Sequence, residues 1–144
     1  IDGGERLDLG RFRTHLVDFA NDLLQVLGGD VSLALNRLAI GQASREGSRL
    51  GALLIERGRH GIDKRAGALL EAGRQRGLIA YHDRETAYHT LYGLIVRDLH
   101  VRMLLGEAGV RRPEHYAALA EEAVDQFFVL FGVRKNETTG RDSV

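Results

Sequence analysis

The sequence predicts an all-α chain, arranged as a five-helix bundle. Three observations carry that expectation. A single proline stands in 144 residues, and it falls where a helix begins. No stretch alternates apolar and polar residues with the period of two that a half-buried strand requires. Apolar residues recur instead at spacings of three and four, in segments opened by Asp or Ser and closed by Gly, the residues that cap the two ends of helices.

The first helix is expected over Leu9 to Leu27, capped by Asp8 and stopped by Gly28 and Gly29. Its inner face collects Leu9, Phe12, Leu16, Phe19, Ala20, Leu23 and Leu27. The second runs from Val31 to about Arg45 behind Asp30 and buries Val31, Leu35, Leu38 and Ala39. The third starts behind Ser48 and ends at Gly77, carrying Leu50, Leu53, Leu54, Ile62, Ala66, Leu69 and Leu70. Gly51, Gly58, Gly61, Gly67 and Gly73 fall inside it, each costing up to ~1 kcal/mol relative to alanine. Close packing has to compensate. The segment ERGRHG, Glu56 to Gly61, breaks the apolar rhythm and is expected to kink or locally interrupt the helix.

The fourth helix is expected over Arg84 to Gly106, behind the cap Asp83. Ala87, Leu91, Leu94, Ile95 and Leu99 make one stripe, and Tyr88, Tyr92, Val96, Met103 and Leu104 widen it beyond the ~100° that a half-buried helix uses. At 1.5 Å per residue the helix is about 33 Å long, but Arg97, Asp98, His100 and Arg102 rule out a membrane span. The fifth runs from Pro113, whose missing amide hydrogen costs nothing at a first helical position, to Phe131. Tyr116, Leu119, Ala120, Ala123, Val124, Phe127, Phe128, Leu130 and Phe131 surround it with apolar contacts. Both closing helices thus carry more apolar surface than one small core uses, which points to a second copy of the chain as neighbour. Residues 1–7 read as a linker, 8–132 as one domain, and 133–144 as a loose polar tail.

Composition narrows the function. Lys and Arg total 20 and Asp and Glu total 20, so no global charge draws the chain to nucleic acid or an anionic membrane. The absence of cysteine removes disulfides and thiolate metal sites and fits a cytoplasmic location. No signal peptide is visible. Six histidines are present, but none lies four residues from another and there is no HExxH; His89 and His100 would stand ~16 Å apart along one helix. No metal site and no cofactor is expected. No GxSxG, P-loop or catalytic cysteine occurs, and Ser32, Ser44, Ser48 and Ser143 lie at helix ends or in the tail, so no enzyme is expected. The basic run Arg57 to Arg65 is short, contains Asp63 and lacks interleaved aromatics, as a solvated helix face does.

A polar set within apolar faces suggests a small-molecule cavity. His15 falls between Phe12 and Phe19, Asn36 and Arg37 interrupt the second helix, and Tyr88 and Tyr92 project from the fourth. Aromatic walls with a few convergent polar groups suit a small apolar or aromatic ligand. The alternative is that His15 points outward and the tyrosines satisfy their hydroxyls at a core edge.

The segments RFRTHLVDFANDLLQ, LALNRLAIGQASR, LLEAGRQRGLI, LYGLIVRDLHVRMLLG and EEAVDQFFVLFG, in this order and spacing, cover nearly all of Leu7 to Gly132. Their arrangement resembles the C-terminal ligand-binding and dimerisation domain of TetR-family transcriptional regulators, particularly the AefR-like group. The resemblance implies a homodimer in which the last two long helices pair with those of a second subunit in a four-helix bundle. It implies that ligand binding is coupled to operator release, with operator DNA contacted only through an N-terminal helix-turn-helix domain that this sequence does not contain. On that basis His89, Gly93, Val96, His100, Val124, Phe127 and Phe131 are expected at the dimer seam. The competing reading is a helical interaction module or small helical enzyme sharing the bundle, because fold alone never sets function.

Overall fold

The computed structural model describes residues 8–133, leaving aside the side chain of Arg59. The expected linker at 1–7 and all of the expected tail except Val133 lie outside the described residues. Helix α1 spans Leu9–Leu27, α2 Asp30–Gln42, α3 Leu50–Gln75, α4 Arg84–Val96, α5 Leu99–Leu104 and α6 Tyr116–Phe131, with a 3-10 turn at Pro113–His115 leading into α6. Among the described residues there is no strand; one isolated antiparallel bridge joins Ile79 to Gly132.

The caps follow the sequence. Asp8 accepts a hydrogen bond from the Arg11 amide at 2.8 Å, and Asp83 accepts one from the Thr86 amide at 3.1 Å, each satisfying a free donor of a first turn. Gly77 and Gly106 turn the chain out of their helices at φ of 73° and 80°. Asp30, expected as a cap, lies inside the first turn of α2, where its charge still complements the helix dipole.

Helices α1 and α6 form the centre of the core. Phe12, Leu16, Phe19, Ala20, Leu23 and Leu24 of α1 meet Tyr116, Ala120, Ala123, Val124 and Phe127 of α6, all buried. Burial of side chains this large contributes roughly 1.5–3 kcal/mol each. Helix α3 closes one side with Ala66 and Leu70, and α4 closes another with Ala87, Leu91 and Ile95. The backbone of Ala80 donates to Phe131 and that of Val133 to Leu78, which ties the approach to α4 to the end of α6. At the other end Arg97 reaches Gln126 at 2.8 Å, so α4 and α6 run side by side in opposite directions.

Four expectations need correction. The fourth helix is not continuous: Arg97, at φ 48°, breaks it into α4 and α5, giving six α-helices among the described residues where five were expected. Helix α3 runs unbroken through Glu56 to Gly61, because its backbone bonding tolerates glycines whose cost is distributed along 26 residues. Helix α2 buries Leu33 and Ala39, whereas Val31, Leu35 and Leu38 are exposed to 73%, 38% and 51%; few neighbours reach that helix. Leu9, at the open end of α1, is exposed too. The common cause is that helical spacing identifies an apolar face but not whether another element covers it.

Candidate functional site

The apolar face that α2 leaves uncovered borders a cavity of about 1060 Å³, between α2, the N-terminal half of α3, α4 and α5. From α2 come Val31, Leu35, Ala39 and Ile40; from α3, Leu54, Ile55 and Ile62; from α4, Tyr88 and Tyr92. The volume is at the upper end of that of small-molecule sites, and the walls are mainly hydrocarbon. Helix α3 can stay close to this space because Gly51 and Gly58 line it without side chains.

A few polar groups interrupt the hydrocarbon. Asn36 is half-buried, its amide nitrogen donating to the Ser32 carbonyl at 2.8 Å, which holds the side chain along α2. Tyr88 and Tyr92, one turn apart on α4, set their rings 6.1 Å apart at 51°. Burial pushes the Tyr92 hydroxyl above its ordinary pKa, so it remains a neutral donor at neutral pH. His100 reaches the cavity from α5; burial pushes its imidazole below the ordinary value, and the neutral ring is favoured. Its Nε2 is buried without a hydrogen-bond partner.

Charge is kept at the margins. Asp30 is bound to Arg111 at 2.6 Å, and its side chain is 88% exposed. Arg57 is exposed, and no described charged residue is fully buried. Asp63 also lines the space and is half-buried, so a neutral or weakly polar molecule fits it better than an anionic one.

Of the seven residues expected to bind ligand, Asn36, Tyr88 and Tyr92 line the cavity. Phe12 and Phe19 lie in the core instead, Phe12 edge-on to Phe128 at 5.8 Å and Phe19 beneath the Arg65 guanidinium at 5.4 Å. His15 is half-buried on α1 and does not line the cavity. Arg37 turns away to donate to the carbonyls of Met103 at 2.7 Å and Leu104 at 3.0 Å, clamping α5 to α2.

Of the residues expected at a dimer seam, His89 and His100 line the cavity, and Gly93 is exposed with open space around its α-carbon. Val124 and Phe127 have no exposed surface and Val96 has 7%, because they pack against this chain's own helices. As seam residues those three are corrected. Phe131 is half-buried and stacked on Phe127 at 4.8 Å. Val31 and Leu35, read as core from the sequence, line the cavity, as do Gly51 and Gly58, which the sequence marks as needing compensation but does not place beside it.

The basic run on α3 behaves as a helix face. Arg65 pairs with Asp22 at 2.8 Å, and Lys64 is exposed. Among the described residues no group of three or more His, Asp or Glu is placed to hold a metal ion, and no single helix is long and apolar enough to cross a membrane.

Residues 14–133 match the family described as AefR-like transcriptional repressor, C-terminal domain. Among solved structures, a TetR transcriptional regulator from Agrobacterium tumefaciens superposes with a TM-score of 0.83 at 57% identity, over 93% of this chain and 67% of that one. A putative TetR-family regulator from Mesorhizobium loti MAFF303099 shares the fold, with a TM-score of 0.73 at 24% identity over 90% of this chain. The chain spans 61% of that second structure. No curated protein matches. With 120 consecutive residues inside one family and a shared fold across both neighbours, the chain belongs to the AefR-like C-terminal domains of TetR-family transcriptional regulators.

Proposed function

We propose that this domain binds a small, largely apolar or aromatic molecule in the cavity between α2, α3, α4 and α5, and that it pairs with a second copy of itself. In the regulator, occupancy of the cavity biases two arrangements of the dimer and so the spacing of two DNA-reading heads, which lie outside this chain. The cavity carries this reading. An opening of about 1060 Å³ walled by Val31, Leu35, Ile55 and Tyr92 exposes apolar surface that a ligand would cover. The alternative of an interaction module or helical enzyme is not favoured, given a family match across most of the domain.

A thermal-shift screen of neutral alkyl and aryl compounds tests the cavity, since a ligand at a hundred times its Kd adds about 2.7 kcal/mol to stability. The expected result is a rise in Tm that disappears in Gly58→Phe, where the new ring fills the space beside α3. No shift with any compound, or a shift that survives Gly58→Phe, would overturn the assignment. Light scattering tests the pairing: a monomer at tens of micromolar would remove it.

A further inference from the structure

Helix α5 holds its place against two separate penalties. Arg97, which joins it to α4, has φ 48° and ψ −131°, a backbone conformation that side chains other than glycine rarely adopt. It is the one described non-glycine residue with positive φ. Three residues on, His100 buries Nε2 without a partner, and a buried polar atom left unpaired is unfavourable. The first sits at the break that leads into α5 and the second on its six helical residues, which border the cavity through His100. The polar hold on its far end is the Arg37 guanidinium, which comes from α2, another wall of the same cavity.

The two penalties share one remedy. His100 borders the cavity, so a turn of α5 about Arg97 would act on the backbone conformation and on the imidazole together. Nε2 has no hydrogen-bond partner among the described residues. Asn36 already spends its amide on Ser32, and Asp30 is engaged by Arg111. Which ring nitrogen carries the proton in neutral His100 does not matter for a hydroxyl, which both donates and accepts. An anionic group, by contrast, would meet the half-buried Asp63 carboxylate instead of a counter-charge.

We propose that the ligand of this cavity carries a neutral hydroxyl that pairs with Nε2 of His100, and that taking it up turns α5 about Arg97. The inference rests on the cavity being the ligand site and adds the chemical class, a hydroxylated apolar molecule such as an alkylphenol, together with the element that responds. Arg97 acts as a positioning residue and touches no ligand. Its guanidinium also reaches Gln126 and Glu122, so movement at the break is felt on α6.

The probes are para-hexylphenol and hexylbenzene, identical except for the hydroxyl. Calorimetry on the full chain should show the phenol binding about ten-fold tighter, the size of one net hydrogen bond. His100→Phe should erase that preference while leaving hexylbenzene affinity unchanged. Arg97→Ala and Arg97→Gly both lose the guanidinium contacts but differ in how easily they hold φ 48°, so the phenol preference should be larger in the alanine variant. Met103 is the single methionine of the sequence and lies on α5, so its isotope-labelled methyl group reports the turn. The phenol should drive its resonance to a position that hexylbenzene does not reach. Equal binding of both probes, a preference that survives His100→Phe, equal preferences in the two Arg97 variants, or one shared methyl endpoint would overturn the inference while leaving the cavity as a ligand site. Failure of both probes to bind would remove the cavity reading and the inference with it.

Discussion

The ring of Phe12 rests on the bare backbone of Gly73, so closely that a β-carbon built on Gly73 would stand 2.3 Å from Cζ of the ring. This contact sets how near α1 and α3 approach. Gly73→Ala should therefore overpack the core and destabilise the domain by about 1–3 kcal/mol, despite the gain in helix propensity. Gly61 has open space in the same helix, and Gly61→Ala should stabilise by up to ~1 kcal/mol. Urea titration of the two variants measures both signs, and a stabilising Gly73→Ala would show that the ring moves aside without cost.

That contrast shows what the sequence reveals and what it conceals. Five glycines in α3 require compensation by propensity alone, but only the neighbour across the interface distinguishes Gly73, under a ring, from Gly51, beside a cavity. The caps Asp8 and Asp83 are local and were legible. The break at Arg97 was not, since neither proline nor glycine marks it and the apolar stripe continues across it. For the site the difficulty is similar: Phe12 and Phe19 have the same composition as a pocket wall and are core, whereas Val31 and Leu35 have that of a core and are the wall. Helical period assigns a face; the packing partner assigns its use. Of the polar interruptions, Asn36, Tyr88 and Tyr92 border the cavity, whereas His15 and Arg37 do not.

Arg37 should matter to α5 more than to the fold. Its guanidinium donates to the carbonyls of Met103 and Leu104 at the C-terminal end of α5, where the Gly106 amide also reaches Met103. Arg37→Leu removes both bonds from a partly exposed position, with an expected loss of about 1 kcal/mol. Hydrogen exchange should quicken in α5 and in the turn after it, with little change in α1 and α6. Uniform acceleration across all helices would assign Arg37 to global stability instead.

Acid should reach the C-terminal end of α3 in a defined window. Glu71 accepts from Arg74, Tyr81 and Gln75, and these bonds, that of Arg74 foremost, hold its carboxyl at about 2, against an ordinary 4.5. A folded pKa below the unfolded one contributes stability that is complete above 4.5 and declines as pH falls toward 2. Tyr81 anchors the connection between α3 and α4 through this carboxylate. In Glu71→Gln the decline of Tm across that window should be shallower than in the unsubstituted chain. Parallel acid profiles would show that other carboxylates govern the loss.

Pairing of two chains, on the proposed reading, falls to the face that α4 and α6 leave open. Gly93 is exposed on α4, and Val129 and Leu130 are exposed to 69% and 60% at the end of the adjacent, oppositely directed α6. Apolar side chains this bare, on a helix that runs beside α4, are suited to a helix-to-helix contact. Val129→Glu places a charge there without disturbing a buried group, so a folded monomer is expected by sedimentation, with an unchanged helical circular-dichroism signal. Phe127→Glu is the control. Its ring has no exposed surface, so a buried, unpaired carboxylate there should unfold the chain instead of dividing a dimer. If Val129→Glu keeps the dimer mass, the seam lies on another face of the molecule.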